Sequence, residues 1–106
     1  MPDKKVDIQL LRAEADRAAS AGRQLAAARE KLTALRELFG GDHWGASAEG
    51  KALRDALVGI VDNRLREVGQ LVAAADKIRD GLRETADLEE KTEEAILDSF
   101  RKTPIS

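Results

Sequence analysis

Between Pro2 and Pro104 the chain has no other proline, and this limits its possible folds more than any other feature. Proline is the residue that most surely ends a helix, because it lacks the amide hydrogen and its ring clashes with the preceding turn. Glycine is left as the punctuation. Gly40, Gly41 and Gly45 gather around Asp42, His43 and Trp44, whereas Gly22, Gly50, Gly59, Gly69 and Gly81 stand singly in helical surroundings. One concentrated turn in 106 residues predicts two long helices, and the length leaves room for one domain, residues 1–106.

Helix 1 is expected over about 6–39, the turn over 40–46, and helix 2 from 47 through about 81 and onward. In helix 1, Leu11, Ala18, Leu25, Leu32 and Phe39 recur every seven residues, with Ala21, Ala28 and Leu35 three residues on. That is an a/d seam of the coiled-coil type. Ala15, Ala19 and Ala26 beside it would let another backbone come close, and Gly22 and Gly69 fall on or beside the two seams. Arg12, Arg17, Arg23, Glu30 and Glu37 are expected on the solvated side.

Ser47 is placed to cap helix 2, with Glu49 at the positive end of its dipole. The stripe of that helix reads Leu53, Leu57, Val61, Leu65, Val68, Leu71, Val72, Ala75, Ile78 and Leu82. Asp62–Arg66 and Asp87–Lys91 have the spacing of exposed i,i+4 pairs.

A short turn forces the helices antiparallel. Counted from the turn, residues 47 to about 80 use up all of helix 1, a paired length of roughly 50 Å at 1.5 Å per residue. Beyond Gly81, Asp87, Glu89, Glu90, Glu93, Glu94 and Asp98 crowd together against Lys91 alone. The apolar stripe there thins to Ala86, Leu88, Ala95, Ile96 and Leu97. Residues 82–106 therefore read as an acidic overhang, and truncation after Gly81 is expected to leave the thermal transition nearly unchanged.

Charged residues make up 36% of the chain, yet the net charge is only -2. No basic excess exists to grip nucleic acid or an anionic membrane surface. No apolar run is long enough to span a membrane, and the N-terminal Met1-Pro2-Asp3-Lys4-Lys5-Val6-Asp7 is not a signal peptide. Read on these grounds alone, the protein is cytosolic.

Chemistry is equally bare. Cysteine is absent and His43 is the single histidine, so no zinc set can form. The acidic cluster has no glycine around which a calcium loop could turn. The scattered serines offer no nucleophile–base pair. A protein without catalytic residues, cofactor or metal is expected.

Two helices touching along one line leave half of each seam in water, and so thin a core gathers only about 3–5 kcal/mol. The exposed seam is large enough to drive association. The fold class expected is an all-α antiparallel helix–turn–helix hairpin that pairs with a second hairpin into a four-helix bundle. The core and dimer seam would use Leu11, Leu25, Leu32, Leu35, Phe39, Leu57, Val61, Leu65, Val68, Leu71, Ile78 and Leu82.

The turn runs Phe39-Gly40-Gly41-Asp42-His43-Trp44-Gly45-Ala46-Ser47-Ala48-Glu49-Gly50. A central Trp beside Gly, in a Cys-free helical hairpin of about this length, resembles the WXG family, the ESAT-like proteins of type VII secretion. The resemblance covers nearly the whole chain. It is closest to the actinobacterial variants that read Trp-Gly, a few polar residues, then Glu-Xaa-Gly, matched by Trp44, Gly45, Glu49 and Gly50. The strict motif has Gly two residues after Trp, where this chain has Ala46.

The family's export signal is a Tyr followed four residues later by Asp or Glu, just past the second helix. Tyrosine is absent here. Leu88 stands at the Tyr position, with Thr92 four residues on and Glu93 one beyond, a degenerate counterpart. The resemblance implies a homodimer, or a heterodimer with a sister hairpin. It implies contact with the secretion machinery or a larger toxin client, and export by a Sec-independent route as a co-secreted partner or small substrate. The alternative it leaves is a cytosolic adaptor or chaperone for a larger secreted client. Trp44 itself reads either as a plug packed on Phe39, its indole N–H bonded to a backbone carbonyl, or as a feature the machinery recognises.

Overall fold

The computed structural model describes residues 4–102. Pro2, Pro104 and the last four residues of the expected acidic segment lie outside the described residues. The fold is an all-α helical hairpin: helix α1 spans Lys4–Phe39, a single 3-10 turn spans Asp42–Trp44, and helix α2 spans Ala48–Lys102. Among the described residues there is no strand. Both helices run uninterrupted because nothing between the terminal prolines breaks them, and the isolated glycines cost only about 1 kcal/mol each inside a helix.

The chain forms two compact units. The first, Ser20–Ala75, contains the end of α1, the turn and the start of α2. Val61, Ala75 and Gly22 are buried along its seam, with Leu25, Leu32 and Phe39 of α1 and Val58, Leu65, Val68 and Val72 of α2 half-buried beside them. On α2 these residues alternate three- and four-residue steps, which keeps one edge turned to the partner helix. Val61, 4% exposed, is the one branched side chain that the unit buries, so the core is thin.

The second unit joins the described residues up to Ala19 with those from Asp76 onward. Ile8, Ala15 and Ala86 are buried there, Ala15 and Ala86 being 1% and 0% exposed. Leu11, Ala18 and Leu82 are half-buried, and so are Arg79, Glu89 and Glu93 at the continuing seam positions of α2. Alanine side chains allow close backbone approach but bury little area, and charged residues in the same row dilute it further.

Two expectations are corrected here. Residues 82–102 are helical, and the stretch to Glu93 packs against the start of α1 and is not an overhang: Ala86 is fully buried, Leu82, Glu89 and Glu93 are half-buried, and only 94–102 are exposed throughout. The error lies in counting from the turn. In the first unit Arg36, near the end of α1, pairs with Asp62, well inside α2. The turn residues fold back along the first turns of α2, with Trp44 against Gly50, so later residues of α2 still have α1 opposite them. The second correction concerns the companion row of α1. Early in the helix it lies four residues after the seam, at Ala15 and Gly22; of the expected row three residues on, Ala28 is half-buried and Ala21 and Leu35 are exposed. Both spacings fit a heptad, and at 15 and 22 the buried residues are small.

Candidate functional site

The turn is built around Trp44. Its indole N–H donates to the Phe39 carbonyl oxygen at 2.6 Å, and its ring lies 6.2 Å from that of Phe39 at a tilt of 57°. His43 packs on the other side at 4.8 Å. The Phe39 carbonyl is one of the last four of α1, which no amide of the helix can reach, and the tryptophan supplies the missing donor. Gly45 follows at φ +84 and ψ 179, a region in effect reserved for glycine. Ser47 then caps α2, its Oγ accepting from the Gly50 amide at 3.0 Å. A Cβ at Gly50 would collide with the Trp44 carbonyl oxygen. Trp44, Gly45 and Gly50 of the turn motif thus each meet a local steric or hydrogen-bonding need, and Glu49 lies in the first turn of α2. An open cleft of about 330 Å³ beside them is lined by Gly41, Asp42, Trp44, Gly45, Ala46, Lys51 and Arg54.

The helices carry a second feature, a difference between the two sides of each seam. Residues one position after a seam residue form interhelical ion pairs. In the first unit Asp62, following Val61, receives Arg36 at 2.5 Å. In the second unit Arg12, following Leu11, bonds Asp87 at 3.1 Å and Glu90 at 2.8 Å. The hydrogen bond to Asp87, reinforced by the charges of both carboxylates, holds the Arg12 guanidinium pKa above its ordinary value. Asp62 does the same for Arg36. The expected local pairs give way to these: Asp62 and Asp87 reach across to α1, and Arg66 turns to Asn63 at 3.3 Å.

On the other side, several residues one position before the seam are apolar and uncovered. In the first unit these are Leu35 and Leu38 of α1 and Ile60 and Leu71 of α2, the last three being 60%, 57% and 53% exposed. In the second they are Leu10, Ile78 and Leu88. Because the paired helices run antiparallel, positions preceding the seam fall on the same side of each pair.

Of the residues expected to form a core or dimer seam, Leu11, Leu25, Leu32, Phe39, Leu57, Val61, Leu65, Val68 and Leu82 are buried or half-buried within the chain. Leu35, Leu71 and Ile78 lie on the uncovered side. Leu88, Thr92 and Glu93 sit inside α2, where the Thr92 hydroxyl donates to the Leu88 carbonyl at 2.9 Å; Leu88 is exposed and Glu93 half-buried. Sequence reasoning missed the sidedness itself. Its signal was available in the charged residues that follow seam positions and the leucines that precede them.

Among the described residues no helix is long and apolar enough to cross a membrane, and no group of three or more acidic or histidine side chains is placed to hold a metal ion. Compared with known proteins, the chain matches no family model, no curated protein and no solved structure.

Proposed function

We propose that this chain acts without catalysis, as a helical hairpin that pairs with another hairpin, in the manner of the small WXG-like proteins of type VII secretion. In this reading it is a co-secreted partner or a small secreted substrate. The observation that carries the pairing is the set of uncovered apolar residues preceding the seams, Leu10, Leu38, Ile60, Leu71, Ile78 and Leu88, on the side away from the Arg12 and Arg36 ion pairs. Apolar side chains repeated at helical spacing are what a facing helix covers, and their burial is worth about 25 cal/mol per Å². The link to secretion rests on the turn, where Trp44, Gly45, Glu49 and Gly50 match the pattern of the actinobacterial variants, with Ala46 in place of the strict motif's glycine.

A second reading has its own observation. The chain lacks tyrosine, and the degenerate Leu88–Glu93 segment lies within α2. An adaptor that stays in the cytosol and masks a larger secreted client fits that equally well.

Two measurements test these readings. Light scattering on the pure chain is expected to give a dimer, or a mixed dimer once a sister hairpin is added; a stable monomer indifferent to any hairpin would sink the pairing. Fractionation of cells with and without a working type VII ATPase then separates the two roles. ATPase-dependent appearance in the medium marks an exported partner or substrate, and retention in both strains marks the adaptor.

A further inference from the structure

The uncovered side of α2 in the Ser20–Ala75 unit has an internal symmetry. Leu57, Ile60, Arg64, Glu67, Leu71 and Ala74 each precede a seam residue by one position, so they form a single row turned about 100° from the seam. Leu57 is half-buried and the other five are exposed, Ile60 and Leu71 by more than half. Arg64 and Glu67, at the centre of the row, are 64% and 56% exposed and pair with each other at 2.9 Å. From either end the row runs apolar, apolar, charged, charged, apolar, apolar, and the two central charges are opposite in sign.

We propose that α2 pairs antiparallel with α2 of a second copy along this row, about a two-fold axis passing between Leu65 and Arg66. This rests on the pairing reading above and names the partner. In that register Leu57 lies on Ala74, Ile60 on Leu71 and Arg64 on Glu67, and the symmetry makes each match twice. The alternatives are worse on charge alone. A parallel arrangement in the same register sets Arg64 on Arg64 and Glu67 on Glu67. Sliding the antiparallel pair by seven residues puts both charges on aliphatic side chains, which costs their desolvation with no partner. The Arg64–Glu67 bond within one chain becomes a reciprocal pair between chains, and apolar groups cover apolar groups on both sides of it.

The test exchanges charges at the centre. Sedimentation equilibrium on the full chain is expected to show a homodimer. Arg64→Glu and Glu67→Arg each leave like charges facing across the axis, and each is expected to weaken self-association about tenfold or more. The double exchange R64E/E67R restores opposite pairs and should return the dissociation constant to within about threefold of the parent. The two single variants mixed in equal amounts should form mixed dimers well above the random share of about half, resolved by native mass spectrometry. Circular dichroism on each variant checks that helix content is kept.

A parent dimer indifferent to these exchanges would overturn the register while leaving hairpin pairing intact. So would a mixture with no excess of mixed dimer. A parent that stays monomeric yet forms a one-to-one complex with a different hairpin overturns self-pairing and leaves the broader reading standing.

Discussion

The indole N–H of Trp44 donates to the carbonyl oxygen of Phe39, the last residue of α1, at 2.6 Å. A side chain beyond the helix thus closes its C-terminal end, and the two rings pack at a tilt beside that bond. The direction in which the chain leaves α1 follows from this contact.

Trp44→Phe keeps most of the ring and removes the donor. The expected loss is about 1 kcal/mol, the net worth of one such bond, seen as a lower urea midpoint at unchanged slope. An unchanged midpoint would show that the ring packing alone sets the turn.

The glycines divide into two groups with opposite expected effects. Gly45→Ala forces a side chain into a backbone region of positive φ and should cost about 1–3 kcal/mol. Gly50→Ala meets the Trp44 carbonyl, part of the backbone, which cannot rotate away. Gly59 and Gly69 have open space where a Cβ would go. Gly59→Ala and Gly69→Ala should each stabilise by about 0.5–1 kcal/mol through helix propensity. Thermal melts of the four variants check the split, and destabilisation by Gly69→Ala would be evidence of a close approach at that point.

The packing of Ala86 reverses an expectation from the sequence. Since the residue is fully buried, truncation after Gly81 should lower the thermal transition. Ala86→Leu should cost about 1–3 kcal/mol by overpacking, while Ala95→Leu, at an exposed position, should leave stability within about 0.5 kcal/mol. Equal effects at 86 and 95 would argue that the end of α2 is not packed.

Much of this was legible from residue types alone. The two helices, the position of the turn, the Ser47 cap and the Trp44–Phe39 contact all follow from local rules, in which neighbours within about five residues decide the outcome. What escaped was register. The apolar period of α1 fits a companion row at Leu35 as well as one at Gly22, and the period alone does not choose between them: Ala15 and Gly22 are buried, Ala28 of the other row is half-buried and Leu35 is exposed. The same limit explains Asp62 and Asp87. Each has a good local partner four residues on, and each bonds across to α1 instead, because it follows a seam residue. The acidic end of α2 looked like an overhang because its charge was visible in the sequence and Arg12, 75 positions away from Asp87, was not an obvious partner.

One exposed pair gives a prediction in pH. The hydrogen bond from Arg79 to Asp80, at 2.8 Å, together with the charges of Arg79 and Arg83, holds the Asp80 carboxyl below its ordinary value. A carboxylate lowered on folding contributes stability that is present above its unfolded value and lost as pH falls through the folded one. A carbon-detected NMR titration should therefore place the Asp80 midpoint below that of a free aspartate. Arg79→Gln should raise it, and added salt should do the same in the parent by screening a pair open to solvent. The accompanying change in stability is expected to be small, as for surface ion pairs in general. A midpoint that ignores both the substitution and the salt would mean that the guanidinium does not hold this carboxylate in solution.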